Sequence, residues 1–249
     1  FMETSIDAGT AVSESPQSVV GFPAIDYLLF GSNGETDQAI VDKYVNGSSA
    51  TQRGVFLTQL ADELKTTAQS ISGGWDSYRS TFINNTGSAL GTSISLMGNE
   101  FNRDFEVLKN FKFKIPLGKL NGGVVLPDKV EGYYSGISAE LSVEQMSAIK
   151  DLYLGVSETG ADGLGLADYL ECLQAESVNK LLHEAITERF QAIENQLSEV
   201  PDPMSETLST NKPVVDQAYT EMQMTVPLIK HEMTTAFGVQ INYVSGDGD

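Results

Sequence analysis

From Ser49 to Asn84, the residues Phe56, Leu57, Leu60, Leu64, Ala68, Ile71, Trp75, Tyr78 and Phe82 recur at steps of three and four. That spacing places them on one face of a long amphipathic helix. Gly73 and Gly74 interrupt it, each costing roughly 1 kcal/mol against Ala in a helix interior, so a bend or a close helix crossing is expected there. A second run carries Leu90, Ile94, Met97, Phe101, Phe105 and Leu108 on one face, with Ser88 as its cap. The segment Lys112 to Gly118 ends it, because Pro116 lacks the amide a continuing helix needs.

Gly118 to Gln145 is rich in Gly, Pro and Ser and reads as a connection with a helical turn or two. Helical period returns at Val143 to Leu154, then at Leu164 to Val200, where Leu166, Leu170, Leu173, Leu181, Leu182, Ile186, Phe190, Ile193 and Leu197 mark the buried stripe. Pro201 and Pro203 break the chain. A last helix covers Met204 to Phe237 with a kink at Pro213 or Pro227, followed by a strand-like extension from Val239 to Tyr243. No Asn-Gly turn joins alternating strands. The pattern predicts an all-α protein of long antiparallel helices.

One internal similarity refines this picture. Gly21, Phe22, Pro23, Ala24, Ile25, Asp26, Tyr27 and Leu28 align with Gly163, Leu164, Gly165, Leu166, Ala167, Asp168, Tyr169 and Leu170, with identity at Gly, Asp, Tyr and Leu. Long amphipathic helices follow each copy, which suggests two up-and-down helical bundles related by an internal repeat, over residues 1–118 and 119–249. The helix Val143 to Leu154 precedes the second copy and has no counterpart before Gly21. The first bundle is therefore expected to lack its N-terminal helices, and an upstream segment of the same precursor, or a second chain, is expected to pack on residues 49–108.

Composition narrows the partners. The chain of 249 residues has 34 acidic and 15 basic side chains, a formal charge of −19. Nucleic acid is excluded as a partner of the whole surface, since such binding relies on Lys and Arg neutralising phosphates, and an anionic membrane face is disfavoured for the same reason. With 41% hydrophobic residues the chain can fold. Cys172 is alone, so no internal disulfide forms, and a buried inert thiol is expected. The most apolar stretch, Val19 to Phe30, is too short to span a bilayer, so no transmembrane helix is expected. The chain starts at Phe1, as expected of a precursor fragment or a protein that has lost a leader.

The segment Gly21 to Gly31, GFPAIDYLLFG, holds the sharpest chemical feature. Asp26 lies among Ile25, Tyr27, Leu28 and Leu29, so its carboxylate either faces water on an amphipathic helix or is paired, protonated, metal-bound or at a cleft edge. The segment resembles the Gly-x-His-x-x-Glu motif of the imelysin-like proteins. The likeness continues through KIPLG at Lys114 to Gly118, KVEGYYSGIS at Lys129 to Ser138, LYLG at Leu152 to Gly155 and the ending GDGD at Gly246 to Asp249. It covers nearly the whole chain, in order. The resemblance implies two helical bundles facing each other across a cleft, export to the bacterial cell envelope as a periplasmic protein or surface lipoprotein, and a link to iron uptake alongside other envelope proteins. Some members are classed as metallopeptidases.

Two departures bear on chemistry. Pro23 stands at the motif His and Asp26 at the motif Glu, so the nitrogen ligand is gone and the acid is one methylene shorter. Zinc is not expected, and a peptidase is disfavoured. A site remade from oxygen ligands would suit iron or calcium, with Asp26, Glu100, Glu131, Asp247 and Asp249 as candidate ligands and Asp168 as the repeat counterpart of Asp26. The terminal pair is otherwise a solvated tail. His183 and His231 each precede a Glu, but Thr187 and Thr235 occupy the second His position of a zinc helix, so both are expected on helix surfaces. Three functions follow: a non-catalytic, envelope-associated binding protein for a metal ion or small ligand with its site between the bundles, a metallopeptidase, or a helical scaffold for partner docking.

Overall fold

The computed structural model describes residues 1–32 and 34–242. The architecture is all-α, with one small two-stranded ribbon among the described residues. The chain forms two compact units, the first comprising Phe1–Ser80 with Gly132–Gly136, the second Thr81–Glu131 and the residues from Ile137 onward.

In the first unit the helices α1 (Met2–Asp7), α2 (Phe22–Phe30), α3 (Asp37–Val45) and the first turns of α4 (Ala50–Asn84) meet on a small core. Each contributes a short apolar stripe: Ile6 from α1, Ala24 and Leu28 from α2, Phe56 and Leu60 from α4, with Val12 from the connecting segment. The paired residues sit four apart, which stacks them on one helix face. Arg53, one turn before Phe56, is buried at 6% exposure and makes an ion pair with Glu3, while its guanidinium lies 5.7 Å from the Tyr44 ring centre. The long helix expected from Ser49 is thus present and continuous. Its glycines do not mark a close crossing: nothing lies within 4 Å of where a β-carbon would sit on Gly73 or Gly74.

The second unit is larger. Helix α5 (Ser93–Val107) starts later than Ser88 because Asn85 and Ser93 organise the preceding turn. The Asn85 side chain donates to Gly91 O at 2.8 Å, and the Ser93 hydroxyl donates to Phe82 O. Leu90 falls in that turn and is exposed. Beyond Val107 the helix widens into a π-helical segment, Leu108–Lys114, before Pro116. Helix α6 (Ser138–Leu154) begins earlier than Val143, since the Asp202 carboxylate accepts the Ala139 and Glu140 amides at 2.8 and 3.0 Å and so caps its first turn.

The stretch Leu164 to Val200 is not one helix. Helix α7 (Leu166–Cys172) stops, and a hairpin of β1 (Glu176–Ser177) and β2 (Lys180–Leu181) leads into α8 (Leu182–Ser198). Asn179 takes φ 64°, in the left-handed region Asn tolerates, which lets the tight turn close without the Asn-Gly signal. Two expectations fail here: Leu173 leaves the core, and Cys172 is exposed rather than buried.

The last helical stretch is divided into α9 (Met204–Thr210), α10 (Lys212–Val226), a π-helical segment Pro227–Met233 and α11 (Thr234–Ala236). Both suspected prolines mark changes, Pro213 at the start of α10 and Pro227 at the π segment. Among the described residues, the extension from Val239 as far as Asn242 is not a paired strand, and Tyr243 lies outside them; Asn99 holds the extension, donating to Gln240 O at 3.0 Å and accepting the Asn242 amide at 2.8 Å. Phe101, Phe105, Tyr153 and Phe190 pack edge-on and tilted at the centre, with ring centres 5.3 to 6.2 Å apart. Among the described residues no helix is long and apolar enough to cross a membrane.

Candidate functional site around Asp26

Helix α2 is started by Gly21, whose carbonyl accepts the Ala24 and Ile25 amides at 3.2 and 3.3 Å. Pro23 falls in the first turn, where a missing amide leaves no helical hydrogen bond unmade. Ala24 and Leu28 then point into the core, which turns Phe22 and Leu29 outward and leaves Asp26 half-buried.

Both oxygens of the Asp26 carboxylate are engaged. Oδ2 accepts the Tyr134 amide at 3.0 Å and Oδ1 the Ser135 amide at 3.1 Å. The donors belong to a tight loop closed on itself by the Gly136 amide donating to Gly132 O at 2.8 Å. The Tyr134 ring meets Tyr27 edge to face at 5.1 Å and Tyr133 at 5.3 Å. Asp26 thus fixes the Gly132–Gly136 loop to α2, while each oxygen retains a further lone pair. Sequence reasoning found Asp26 but not its partners. Tyr134 and Ser135 lie in the quoted GYYSG stretch, and the flanking glycines were the available sign of a tight loop.

Behind Asp26 the Tyr27 hydroxyl donates to Glu3 Oε1 at 2.6 Å, on the carboxylate that also pairs with Arg53. Burial and the bond to Glu3 push the Tyr27 phenol well above its ordinary range. Burial opposes ionisation of Glu3, but the hydrogen bonds from Arg53 and Tyr27 outweigh it and hold that carboxyl below its usual value.

The other candidate ligands have local partners. Glu100 pairs with Arg103 on the surface of α5, and Glu131 pairs with Lys112. Asp247 and Asp249 lie outside the described residues. Among the described residues no three His, Cys, Asp or Glu side chains converge as a metal-binding group. His183 is half-buried on α8, and its carbonyl accepts the Thr187 hydroxyl at 2.8 Å. His231 is exposed and lines a cleft of about 510 Å³ with Leu173, Leu182 and Glu232.

The second copy of the motif repeats the register and changes the chemistry. Leu166 and Leu170 are buried, as Ala24 and Leu28 are, so the inward positions match. Asp168, however, turns back on its own helix and accepts the Gly165 amide at 2.7 Å as a cap. Gly165, the counterpart of Pro23, has no room for a side chain: a β-carbon there would lie 2.4 Å from Gly155 N and Tyr153 O. The second copy therefore cannot present a ligand side chain where the motif has its His.

A family profile described as imelysin, peptidase family M75, matches residues 3–226. The structure is similar to the crystal structure of a protein described as an iron-regulated protein A precursor from Parabacteroides distasonis, with TM-score 0.72 and 16% identity over 95% of this chain and 71% of that one. At that identity the likeness speaks for the fold. No curated protein matches the chain.

Proposed function

Because the chain belongs to the imelysin family, we propose that it is a non-catalytic, envelope-associated binding protein linked to iron uptake. The observation behind this is the Asp26 carboxylate, held by two backbone amides at 3.0 and 3.1 Å on a helix whose preceding turn carries Pro23. A metallopeptidase needs a metal that activates water and a base that moves its proton. Pro23 has no ligand atom to offer such a metal, and Asp26 serves as an acceptor for a loop. The iron connection draws on the family and on the similar fold of a protein described as iron-regulated. The same precursor description, with no spanning helix among the described residues, supports an envelope location.

The free lone pairs of Asp26 make it the proposed contact for the bound species, a hard cation such as Fe³⁺ or Ca²⁺ or a small ligand carrying one. Isothermal titration with each ion tests this. The unaltered chain should bind at least one of them and Asp26→Ala should not; absence of binding to every ion rejects the metal part. Incubation with unfolded casein tests the other part, and metal-dependent hydrolysis by the unaltered chain rejects a non-catalytic role.

A further inference from the structure

The cleft of about 510 Å³ in the second unit is built by two stretches of chain. The hairpin region supplies Leu173, Glu176 and Leu182, and the end of the last helical stretch supplies His231, Glu232 and Thr235. Local backbone geometry shapes both. Gln174 takes φ 51°, a left-handed conformation that ends α7, and the Leu182 amide donates to Ala175 O at 2.8 Å to close the hairpin. Leu173 is thereby left on the cleft at 42% exposure. In the π-helical segment Pro227–Met233 each hydrogen bond spans five residues, so consecutive side chains are separated by a smaller angle than in an α-helix. Ile229 and Met233 are buried there, while His231 and Glu232 both reach the cleft. Thr235, four residues after His231, shares its face.

Among the described residues no hydrogen bond or ion pair occupies the Glu176, His231 or Glu232 side chain. The chemistry of the walls narrows what they can hold. An anion finds no partner, because two carboxylates and no Lys or Arg belong to the described lining. A bare metal ion is no better served: no three His, Cys, Asp or Glu side chains converge among the described residues, and Leu173 and Leu182 offer hydrocarbon where an ion needs oxygen ligands. We propose that the cleft binds a small primary amine with an apolar body, at a site separate from Asp26 and independent of the reading given for it. An ammonium group carries three donors and no acceptor. Glu176 and Glu232 meet its charge, and the Thr235 hydroxyl and a neutral His231 imidazole accept its remaining protons. The hydrocarbon part leaves water against Leu173 and Leu182. The volume lies within the span of about 300–1,000 Å³ usual for small-molecule pockets.

Phenethylamine is the probe, with phenethyl alcohol as its neutral counterpart, phenylacetate as the anion and methylammonium as the cation without a body. In heteronuclear nuclear magnetic resonance spectra of the full chain, phenethylamine should give saturable shifts at the amides of Leu173, Glu176, Glu232 and Thr235. Each of the other three compounds should bind at least tenfold more weakly. Glu176→Gln with Glu232→Gln should weaken phenethylamine binding at least tenfold, and Leu173→Ser at least threefold. None of these side chains is buried, so the far-ultraviolet circular dichroism spectrum should not change. Asp62→Asn with Glu63→Gln removes two exposed carboxylates from the first unit and should leave the affinity as it was, which separates a site from the general pull of a chain of charge −19. The proposal is overturned by the absence of saturable shifts at the cleft, or by phenylacetate or methylammonium binding as well as phenethylamine. Indifference to the paired Glu exchange, or an equal loss in the Asp62 and Glu63 variant, also overturns it.

Discussion

The Asp26 carboxylate accepts the amide proton of Ser135, 109 residues further along the chain, and that of Tyr134 beside it. A carboxylate on two amides does here what a side-chain cap does for a helix end, satisfying donors that the loop itself leaves open. Asp26→Ala removes both bonds and should cost about 1–2 kcal/mol, the range for loss of a partly exposed cap. Asp26→Asn keeps one acceptor oxygen and should cost less. Urea unfolding gives the magnitude, and hydrogen exchange locates it: the Tyr134 and Ser135 amides should exchange faster in Asp26→Ala. Unchanged exchange at these two amides would mean that the loop holds itself.

Glu35 gives the first unit an acid-sensitive contact. Its carboxylate pairs with Lys43 at 2.5 Å and accepts the Ser32 amide and hydroxyl at 2.7 and 2.9 Å. The Lys43 bond first, then the two from Ser32, hold its pKa down to about 2, from 4.5 when free. A carboxyl depressed in the folded state binds its proton more readily when unfolded, so its stabilisation is complete above about pH 4.5 and is lost as pH falls towards 2. Glu35→Gln should lower the melting temperature of the first unit at pH 7, where the charged contact is complete, and the difference from the unaltered chain should shrink as pH falls towards 2. Nuclear magnetic resonance titration of the Glu35 side chain checks the cause, and an ordinary midpoint would refute it.

Local periodicity carries much of the fold and little of the site. The stripes of α4 and α8 were legible because Phe56 with Leu60, and Ile186 with Phe190 and Ile193, repeat within one element. The start of α6 was not, since the acceptor that caps Ala139 and Glu140 is Asp202, more than sixty residues away. The hairpin after Cys172 turns on the left-handed conformation of a single Asn179, which alternation over two-residue strands cannot announce. Asp26 stood out as an acid among apolar residues, yet its partners are backbone amides, identical in every sequence. Glu100 was singled out as a carboxylate on the second long helix and Glu131 as one in the KVEGYYSGIS stretch, and their charges are met by Arg103 and Lys112.

Gly165 tests the divergence of the two motif copies. Its missing β-carbon lets the segment before α7 run against the end of α6, with Gly155 at φ 79° closing that helix. Gly165→Ala would put a carbon 2.4 Å from three backbone atoms, which no rotamer change relieves. Destabilisation by about 3 kcal/mol or more is expected, in the range of strained core substitutions. Pro23→Ala at the aligned position should stay within about 1 kcal/mol, because Pro23 is exposed and only its effect on unfolded-chain entropy is lost. Parallel thermal melts compare the two, and equal losses would mean that the copies are under the same constraint.

Pro23→His restores the nitrogen that the motif lacks, and the outcome depends on geometry already present. Position 23 lies in the first turn of α2, three residues before Asp26, so side chains at the two positions are neighbours on the helix surface. The substitution adds an amide at a point where none is required and places the ring in solvent, so folding should be unaffected within about 1 kcal/mol. One imidazole and one carboxylate make an incomplete site for zinc, which takes four ligands, and Asp26 remains tied to Tyr134 and Ser135. The P23H variant should therefore bind Zn²⁺ only weakly, with an affinity that falls further in the Asp26→Ala background, and should still leave casein intact. Titration calorimetry and a casein assay on the same sample decide it. Zinc-dependent cleavage by P23H would show that a single residue separates this chain from a peptidase.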